Sequence, residues 1–250
     1  LFQKRERRIH PLKDDKILTD WNGLMIAALA MGARVLQRPD YTEAACKAAR
    51  FVLSRMRDES GQLYHRFREG ELAIEAQASD YAFFIYGLIS LYQTTFDLTY
   101  AEEAVTLQEQ LTAKCWDVQH GGFFSTPAQN DELPVRPKEL YDGAIPSANS
   151  VSFFNLLCLS RLTGNSKWEE TAQALVKAFS GTLQAQPAAF TFFLMGLDFA
   201  LRPGQEVLRL VRENYVEPVD ESALIQGAVR GMLQELDPHS SYLDPDAHQE

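Results

Sequence analysis

Asp20-Trp21-Asn22-Gly23-Leu24 begins a segment that runs to Asp40-Tyr41-Thr42-Glu43 and recurs twice more in this chain of 250 residues. The other two copies run between these markers: Asp80-Tyr81-Ala82-Phe83-Phe84 to Thr99-Tyr100-Ala101-Glu102, and Ala148-Asn149-Ser150-Val151-Ser152 to Lys167-Trp168-Glu169-Glu170. From the second residue of each opening marker to the aromatic residue of its closing marker is 20, 19 and 19 residues. The chain therefore contains a repeat of about sixty residues, and each copy has room for two helices.

The two halves of each copy differ in how their apolar residues are spaced. The first half is almost continuously apolar, which predicts helices buried on most sides at Trp21–Leu36, Tyr81–Thr94 and Asn149–Leu162. The second half is amphipathic, and it predicts helices at Tyr41–Met56, Tyr100–Trp116 and Trp168–Leu183. Capping-box pairs precede them, namely Thr99 with Glu102, Ser166 with Glu169 and the variant Asp40 with Glu43. Each copy thus predicts an inner helix followed by an outer one.

The stretches between the copies are rich in turn residues, and they include two short aromatic strands predicted at Gly61–Phe67 and His120–Ser125. A fourth inner helix is predicted at Ala188–Leu201, but Arg202-Pro203-Gly204 follows and the pattern changes. Inner and outer rings of helices form an α/α toroid, which closes with about six hairpins. The predicted fold is all-α: a partial α/α toroid of about three and a half hairpins over residues 1–203, and a short helical segment over residues 204–250.

Composition excludes some classes of partner. The chain is 46% hydrophobic and 23% charged, with a formal net charge of -10. Residues 204–250 hold ten acidic residues and three arginines, which accounts for -7 of that charge. This balance argues against nucleic acid or an anionic membrane as a main partner. The longest apolar run, 14 residues long, includes Asp198 and is too short to span a bilayer. No signal peptide is visible, which favours a cytoplasmic location for the toroid part.

Motif searches predict neither a cofactor nor a dedicated metal site. No GxGxxG, P-loop, HExxH or EF-hand pattern occurs. Cys46, Cys115 and Cys158 form no CxxC pair and lie within apolar helical patterns, so buried thiols are expected.

Residues 1–206 carry four motifs that resemble the C-terminal part of the spermatogenesis-associated protein 20 family. These motifs are Asp14-Asp15-Lys16-Ile17-Leu18-Thr19-Asp20-Trp21-Asn22-Gly23-Leu24-Met25-Ile26, Asp80-Tyr81-Ala82-Phe83, Gly121-Gly122-Phe123-Phe124, and Tyr141-Asp142-Gly143-Ala144-Ile145-Pro146-Ser147-Ala148-Asn149-Ser150. The resemblance implies a six-hairpin glycosidase-like toroid, related in fold to N-acylglucosamine 2-epimerases, with a sugar-type pocket. In that family a thioredoxin-like domain precedes the toroid. Neither this domain nor the earlier hairpins are in the sequence, and Ala148 stands where the family usually has Gly.

Candidate site residues lie at equivalent places in the three copies, at or just before the start of each inner helix. The candidate catalytic residues are Asp142, Asp80 and Asp20, and the candidate substrate-binding residues are Trp21, Asn22, Tyr81, Ser147 and Asn149. In a toroid these positions line the mouth of the central cavity. Carboxyl groups beside aromatic rings suit a small carbohydrate ligand, since rings stack on sugar faces and a tuned acid transfers protons.

Each of these candidates also has a structural interpretation. Asp20 and Asp80 can cap helices at about 1 kcal/mol apiece, and Trp21 and Tyr81 can belong to the core. Asp142 precedes Gly143 and can form a turn. His65 and His120 lie in the strands between copies, where a proton shuttle would need imidazole, although a surface or hydrogen-bonded structural role is favoured for single histidines.

The last 44 residues resemble a second family. Val207–Asp220, Leu224–Leu233 and Leu236–Pro245 are similar to the helical lead of carboxy-terminal processing proteases. They predict two amphipathic helices, the first ending near Pro218 and the second spanning Glu221–Leu236. In that family a PDZ domain and a domain with a Ser/Lys pair follow, whereas this sequence stops at Glu250. Asp237-Pro238-His239-Ser240-Ser241 predicts a turn, because adjacent residues do not adopt triad geometry.

Three hypotheses follow from the sequence. The first is a toroid that binds or acts on a carbohydrate through carboxyl groups, as an epimerase or a glycosidase would. The second is an inactive fusion or truncated product, and the third is a protease fragment that lacks its catalytic domain. An open half-ring also predicts an exposed apolar patch through which the chain associates with itself.

Overall fold

The computed structural model describes residues 2–9, 13–128 and 135–201. Two compact units divide the chain, residues 1–196 and 197–250. Most of the second unit, including both helices predicted in the tail and the junction at Arg202-Pro203-Gly204, lies outside the described residues. Nearly all of the described residues belong to the first unit.

Three helical hairpins follow one another, as the repeat predicts. They are α2 (Thr19–Leu36) with α3 (Pro39–Arg55), α4 (Ala78–Thr95) with α5 (Leu98–Cys115), and α6 (Ala148–Thr163) with α7 (Ser166–Ala185). A four-residue helix, α1 (Phe2–Arg5), precedes them, and a 3-10 turn (Pro187–Ala189) leads into α8 (Thr191–Leu201). Helix α4 packs against α2 on one side and α6 on the other, so the first helices of the hairpins form the inner row. The all-α prediction is confirmed.

A small antiparallel sheet completes the fold. Its strands β1 (Ile17–Leu18), β2 (Tyr64–Arg68) and β3 (Glu71–Glu75) lie in that order, with Ile17 opposite Phe67 and Arg66 opposite Ala73. The strand predicted at Gly61–Phe67 therefore starts later, and its partner β3 was not predicted. Strand β2 lies beside the start of α4, and His65 in this strand therefore contacts Asp80 in the first turn of that helix.

The second predicted strand, His120–Ser125, is wrong apart from one isolated bridge between Trp116 and Phe123. Gly121 and Gly122 have φ of 72° and 86°, a left-handed conformation that a strand does not accommodate. The carboxyl group of Asp117 accepts hydrogen bonds from the amides of Gln119 and His120 and holds the turn instead.

The predicted capping boxes are also corrected. Asp97 caps α5 by accepting from the Thr99 amide, and Asn165 caps α7 by accepting from the Lys167 amide. Helix α3 has no side-chain cap. The capping residues therefore lie two residues before Thr99 and one residue before Ser166, the positions that the pattern favoured. Cys115 and Cys158 are buried as expected, and Cys46 is half-buried.

Helices α2 and α4 cross at two glycines. A Cβ atom on Gly23 would lie 2.5 Å from the Phe83 carbonyl carbon, and one on Gly87 would lie 2.7 Å from the Gly23 carbonyl oxygen. Both obstacles are backbone atoms, so only glycine allows the two helices this close. The contact places the first turns of α2 and α4 side by side, which is where the candidate site lies.

Helix α2 departs from the prediction that inner helices are buried on most sides. Its buried residues lie on one face and include Gly23, Ile26 and Ala30. The opposite face exposes Trp21 by 64% and Val35 by 80%. Among the described residues, none of the helices combines the length and apolar character that crossing a bilayer requires.

Candidate functional site

Asp80 is a fully buried carboxyl group at the first turn of α4. Its Oδ2 accepts a hydrogen bond of 2.8 Å from the Gln77 amide, which completes the N-terminus of its own helix. Its Oδ1 accepts from the Asp20 amide at 3.1 Å and pairs with Nδ1 of His65 at 2.8 Å. One side chain thus joins the start of α4, the start of α2 and strand β2.

His65 is oriented by this contact. Its side chain is 23% exposed, and the hydrogen bond to Asp80 raises the pKa of His65, an effect that burial partly opposes. With Nδ1 as the donor to Asp80, the neutral ring presents an unprotonated Nε2. No hydrogen-bond partner of Nε2 is found among the described residues.

Asp20 is 8% exposed and lies in the first turn of α2. Burial and the neighbouring Asp80 carboxyl group raise the pKa of Asp20 above its usual range, although its Oδ1 accepts a hydrogen bond from the Trp21 amide. A carboxyl group in this setting keeps its proton nearer to neutral pH than an exposed one does. Ligand atoms of Asp20, His65 and Asp80 all lie within 4.8 Å of one another.

Asp20 also lines a cleft with a volume of about 340 Å³. The cleft lies at the N-terminal ends of the inner helices, between the start of α4 and the loop that leads into α6. Its polar lining includes Gln77, Ser79, Glu139 and Ser147, and its apolar lining includes Phe83, Tyr141 and Ile145. Of the residues predicted for the site, Asp20 and Ser147 line this cleft.

Two predicted site residues have their polar atoms bound to backbone. Asn149 accepts from the Phe123 amide at 2.8 Å and donates to the carbonyl oxygens of Phe123 and Glu139 at 2.9 and 2.7 Å. The carboxyl group of Asp142 accepts from the amides of Ser147, Phe192 and Phe193 at 2.9, 2.9 and 3.3 Å. Asn149 joins two segments to α6, and Asp142 joins the loop before α6 to the start of α8. This geometry favours a structural role for both.

The remaining predicted residues occupy varied environments. Ser147 caps α6 by accepting from the Ser150 amide. Tyr81 is fully buried with its hydroxyl 3.3 Å from Nε2 of Gln62, and burial raises the pKa of Tyr81. Asn22 donates to the Leu18 carbonyl oxygen, and the Trp21 side chain is exposed outside the cleft lining. These four therefore do not form one surface.

Sequence reasoning did not select four polar or aromatic residues of the cleft. They are Gln77, Ser79, Glu139 and Tyr141. Gln77 and Ser79 lie close to Asp80 at the start of α4. The repeat places candidate site residues at the start of each inner helix, so it was a signal that could have indicated these two residues. Glu139 lies well before α6 in sequence, and only the fold of its loop places it in the cleft.

The Asp20, His65 and Asp80 group could hold a cation or act as a hydrogen-bonded acid–base group. The spacing of its ligand atoms fits a metal ion. Oδ1 of Asp80, however, already accepts from the Asp20 amide as well as contacting His65. A cation would have to displace the proton on His65 Nδ1. The hydrogen-bonded arrangement therefore favours acid–base chemistry.

Sequence comparison places the part of the chain that forms the hairpins and the cleft in a known family. A sequence model of the N-acylglucosamine 2-epimerase (GlcNAc 2-epimerase) family matches residues 8–190. The chain belongs to the N-acylglucosamine 2-epimerase family. Within it, this epimerase-family chain is 36% identical to spermatogenesis-associated protein 20 of Rattus norvegicus over 199 residues, which are 76% of the chain and 25% of that protein. The chain spans about a quarter of the length of the curated relatives it matches. The predicted resemblance is confirmed.

Solved structures with the same fold include two carbohydrate enzymes. Cellobiose 2-epimerase from Spirochaeta thermophila is 18% identical with a TM-score of 0.54, and the match covers 66% of this chain and 43% of that one. A family 76 α-mannanase from Bacteroides thetaiotaomicron is 18% identical with a TM-score of 0.56, and the match covers 68% and 46%. At this identity the likeness shows the fold of the epimerase-family part alone, and it confirms a partial toroid.

The tail of this epimerase-family chain matches a different family. Residues 198–247 match the N-terminal domain of the activating protease CtpB. A carboxy-terminal-processing protease of Bartonella bacilliformis is 49% identical over 39 residues, which are 16% of this chain and 9% of that protein. The resemblance predicted for the tail is confirmed.

Proposed function

We propose that the cleft binds a carbohydrate or a similar polyol, and that Asp20 transfers a proton to or from the bound molecule. The observation that carries this proposal is the hydrogen-bonded group of Asp20, His65 and Asp80 at the wall of the cleft. Asp20 is its member that reaches the cleft. A raised pKa suits a carboxyl group for general acid catalysis near neutral pH.

The lining of the cleft supports a sugar-sized ligand. Gln77, Ser79 and Glu139 supply hydrogen-bonding groups for hydroxyls. Phe83 and Tyr141 supply apolar ring surface of the kind that packs on sugar faces. The family name and the cellobiose 2-epimerase neighbour refer to sugar chemistry, which supports the same class of ligand.

His65 and Asp80 act as positioning residues in this proposal. Asp80 holds the Asp20 backbone and the His65 ring at once. Ligand atoms of His65 and Asp20 lie within 4.8 Å of each other, so a water molecule between the two side chains can relay a proton. Replacement of His65 by Gln should therefore shift the pH dependence of proton transfer, which a purely structural role would leave unchanged.

Binding is tested by calorimetry on the full 250-residue chain. N-acetylglucosamine, mannose and cellobiose are titrated into wild type, Asp20→Asn and Asp97→Asn. We expect at least one sugar to bind and Asp20→Asn to weaken its binding by up to about tenfold, because the amide NH2 group cannot accept a hydrogen bond from a sugar hydroxyl where a carboxyl oxygen can. Asp97→Asn is the matched control, because it changes an exposed cap that Asn fills equally well. Absence of binding at millimolar sugar would refute the proposal.

Proton transfer is tested separately in D2O. Wild type should exchange one carbon-bound hydrogen of the sugar for deuterium, and the loss of that proton's NMR signal measures the exchange. Asp20→Asn should abolish the exchange. If Asp20→Asn exchanges as fast as wild type, Asp20 is not the proton-transferring group, even where the cleft binds the sugar.

A further inference from the structure

One wall of the cleft is the loop that leads into α6, called the α6 wall below and consisting of residues 139–147. More of the described lining of the cleft comes from this segment than from any other, and it includes Tyr141 and the turn from Gly143 to Pro146. Tyr141 is 61% exposed and Ile145 47%. An exposed loop keeps one shape only where the rest of the fold fixes it, so the contacts of the α6 wall decide the shape of the cleft.

The start of the α6 wall is held by side chains outside it. The side-chain amide of Asn149 donates to the Glu139 carbonyl oxygen at 2.7 Å. Just before the wall, Nζ of Lys138 donates to the Gly121 carbonyl oxygen, also at 2.7 Å. These contacts fix one end of the wall, and the part from Tyr141 onward depends on others.

Asp142 fixes this second part through both of its carboxyl oxygens. Its Oδ1 accepts a hydrogen bond from the Ser147 amide at 2.9 Å, across the turn that lines the cleft. Its Oδ2 accepts from the amides of Phe192 and Phe193 at 2.9 and 3.3 Å. The Asp142 amide donates to the Ala189 carbonyl oxygen at 3.0 Å. Asp142 therefore closes the turn and ties it to the start of α8.

The start of α8 is a suitable anchor for this contact. Phe192 and Phe193 lie in the first turn of the helix, where amides have no partner within the helix and a negative charge is favourable. The Phe193 ring is fully buried and stacks on Phe153 of α6, with 4.4 Å between the ring centroids. The position of the anchor is therefore set by the packing of α8 on α6.

We propose that Asp142 is a positioning residue for ligand binding, which sets the affinity of the cleft by holding the α6 wall against α8. The inference rests on the proposed function, since it requires a sugar bound in the cleft beside Asp20. Asp142 is outside the described lining of the cleft, and both of its oxygens already accept from amides, so it takes no part in proton transfer. It acts on the ligand through Tyr141 and the turn that follows.

The first test measures the exchange of a sugar hydrogen for deuterium in D2O over a range of sugar concentrations. The full 250-residue chain is used, with N-acetylglucosamine, mannose and cellobiose in turn. Asp142→Asn keeps the size of the side chain and replaces one acceptor oxygen by an NH2 group. We expect its apparent KM to rise by about tenfold and its kcat to stay within about twofold of wild type, because the wall contacts the sugar equally before and during proton transfer.

Asp58→Asn is the matched control. Oδ1 of Asp58 accepts from the amides of Ser60 and Gln62 and so holds a turn in the same way, but Asp58 lies outside the described lining of the cleft. The urea midpoints of the two variants should fall by similar amounts, while Asp58→Asn should leave the KM unchanged. If both variants raise the KM equally, or if Asp142→Asn leaves it unchanged, Asp142 is a structural residue only and the inference is wrong.

Asp142→Glu covers the case in which the Asn variant does not fold. It keeps the charge and both acceptor oxygens, and its additional methylene moves the α6 wall away from α8, so the KM should again rise while the kcat is retained. Amide hydrogen exchange over residues 139–147, followed by mass spectrometry, should be faster in both Asp142 variants than in wild type and Asp58→Asn. Equal exchange in all four proteins would overturn the inference even where wild type turns over a sugar. A wild type that turns over none of the three sugars would refute the proposed function itself, and the role of Asp142 in binding with it.

Discussion

Asp80 connects three parts of the molecule through a single buried carboxyl group. Its hydrogen bonds to Gln77, Asp20 and His65 come from two backbone amides and one ring. The geometry therefore shows the helix-capping role that the sequence allowed for Asp80, and the proposed site role depends on the contacts of Oδ1 with Asp20 and His65. The capping bond at Oδ2 orients Oδ1 towards Asp20 and His65.

Replacement of Asp80 by Asn should destabilise the fold by about 2–3 kcal/mol. The amide supplies only one acceptor oxygen, so at least one N–H donor that Asp80 now satisfies would face an NH2 group. Urea unfolding measures the loss, and Asp97→Asn should stay within about 0.5 kcal/mol of wild type. Equal stabilities of the two variants would contradict the role given to Asp80.

His65 should make stability depend on pH. Its folded pKa is raised above the ordinary value of 6.5, so between these two values the folded chain binds more protons than the unfolded chain. The stabilisation is fully present below pH 6.5 and is lost as the pH rises through the folded pKa. Urea midpoints from pH 5.5 to 8.5 should fall more steeply for wild type than for His65→Gln. Parallel curves would show that the Asp80 contact contributes nothing to the titration.

At the scale of elements, the crossing of α2 and α4 fixes the site. Gly23 and Gly87 bring the first turns of the two helices together, and Asp20 and Asp80 follow from that contact. The apolar periodicity predicted both helices to within three residues at each end. It did not predict the crossing, since close approach depends on which glycine faces which backbone.

Gly87→Ala should cost about 2 kcal/mol or more. The added Cβ would lie 2.7 Å from the Gly23 carbonyl oxygen and 3.2 Å from Cγ2 of Ile26, so the helices must move apart. Gly181→Ala in α7 is the matched control, because a Cβ there meets nothing within 4 Å. Higher helix propensity should make that variant more stable by about 0.5–1 kcal/mol. Chemical denaturation of both variants measures the contrast, and stabilisation by Gly87→Ala would disprove the close crossing.

At the scale of the whole molecule, the described part is a segment of a toroid with one apolar side open. The inner helices α4 and α6 are covered as the repeat predicts, whereas α2 has its outward face exposed. The matches to solved toroids cover less than half of those chains. The chain thus corresponds to less than half of each of these toroids.

Local patterns in the chain were sufficient to place the repeat, the hairpins and the all-α class. Apolar spacing and turn residues act over one or two helical turns, so they are visible in sequence. The acid–base group and the roles of Asn149 and Asp142 depend on residues far apart in sequence, such as His65 with Asp80 and Asp142 with Phe192. Those pairs are set by how helices cross and loops close. For that reason the tertiary structure alone decided which of the three predicted carboxyl groups lines the cleft and which of them connect elements of the fold.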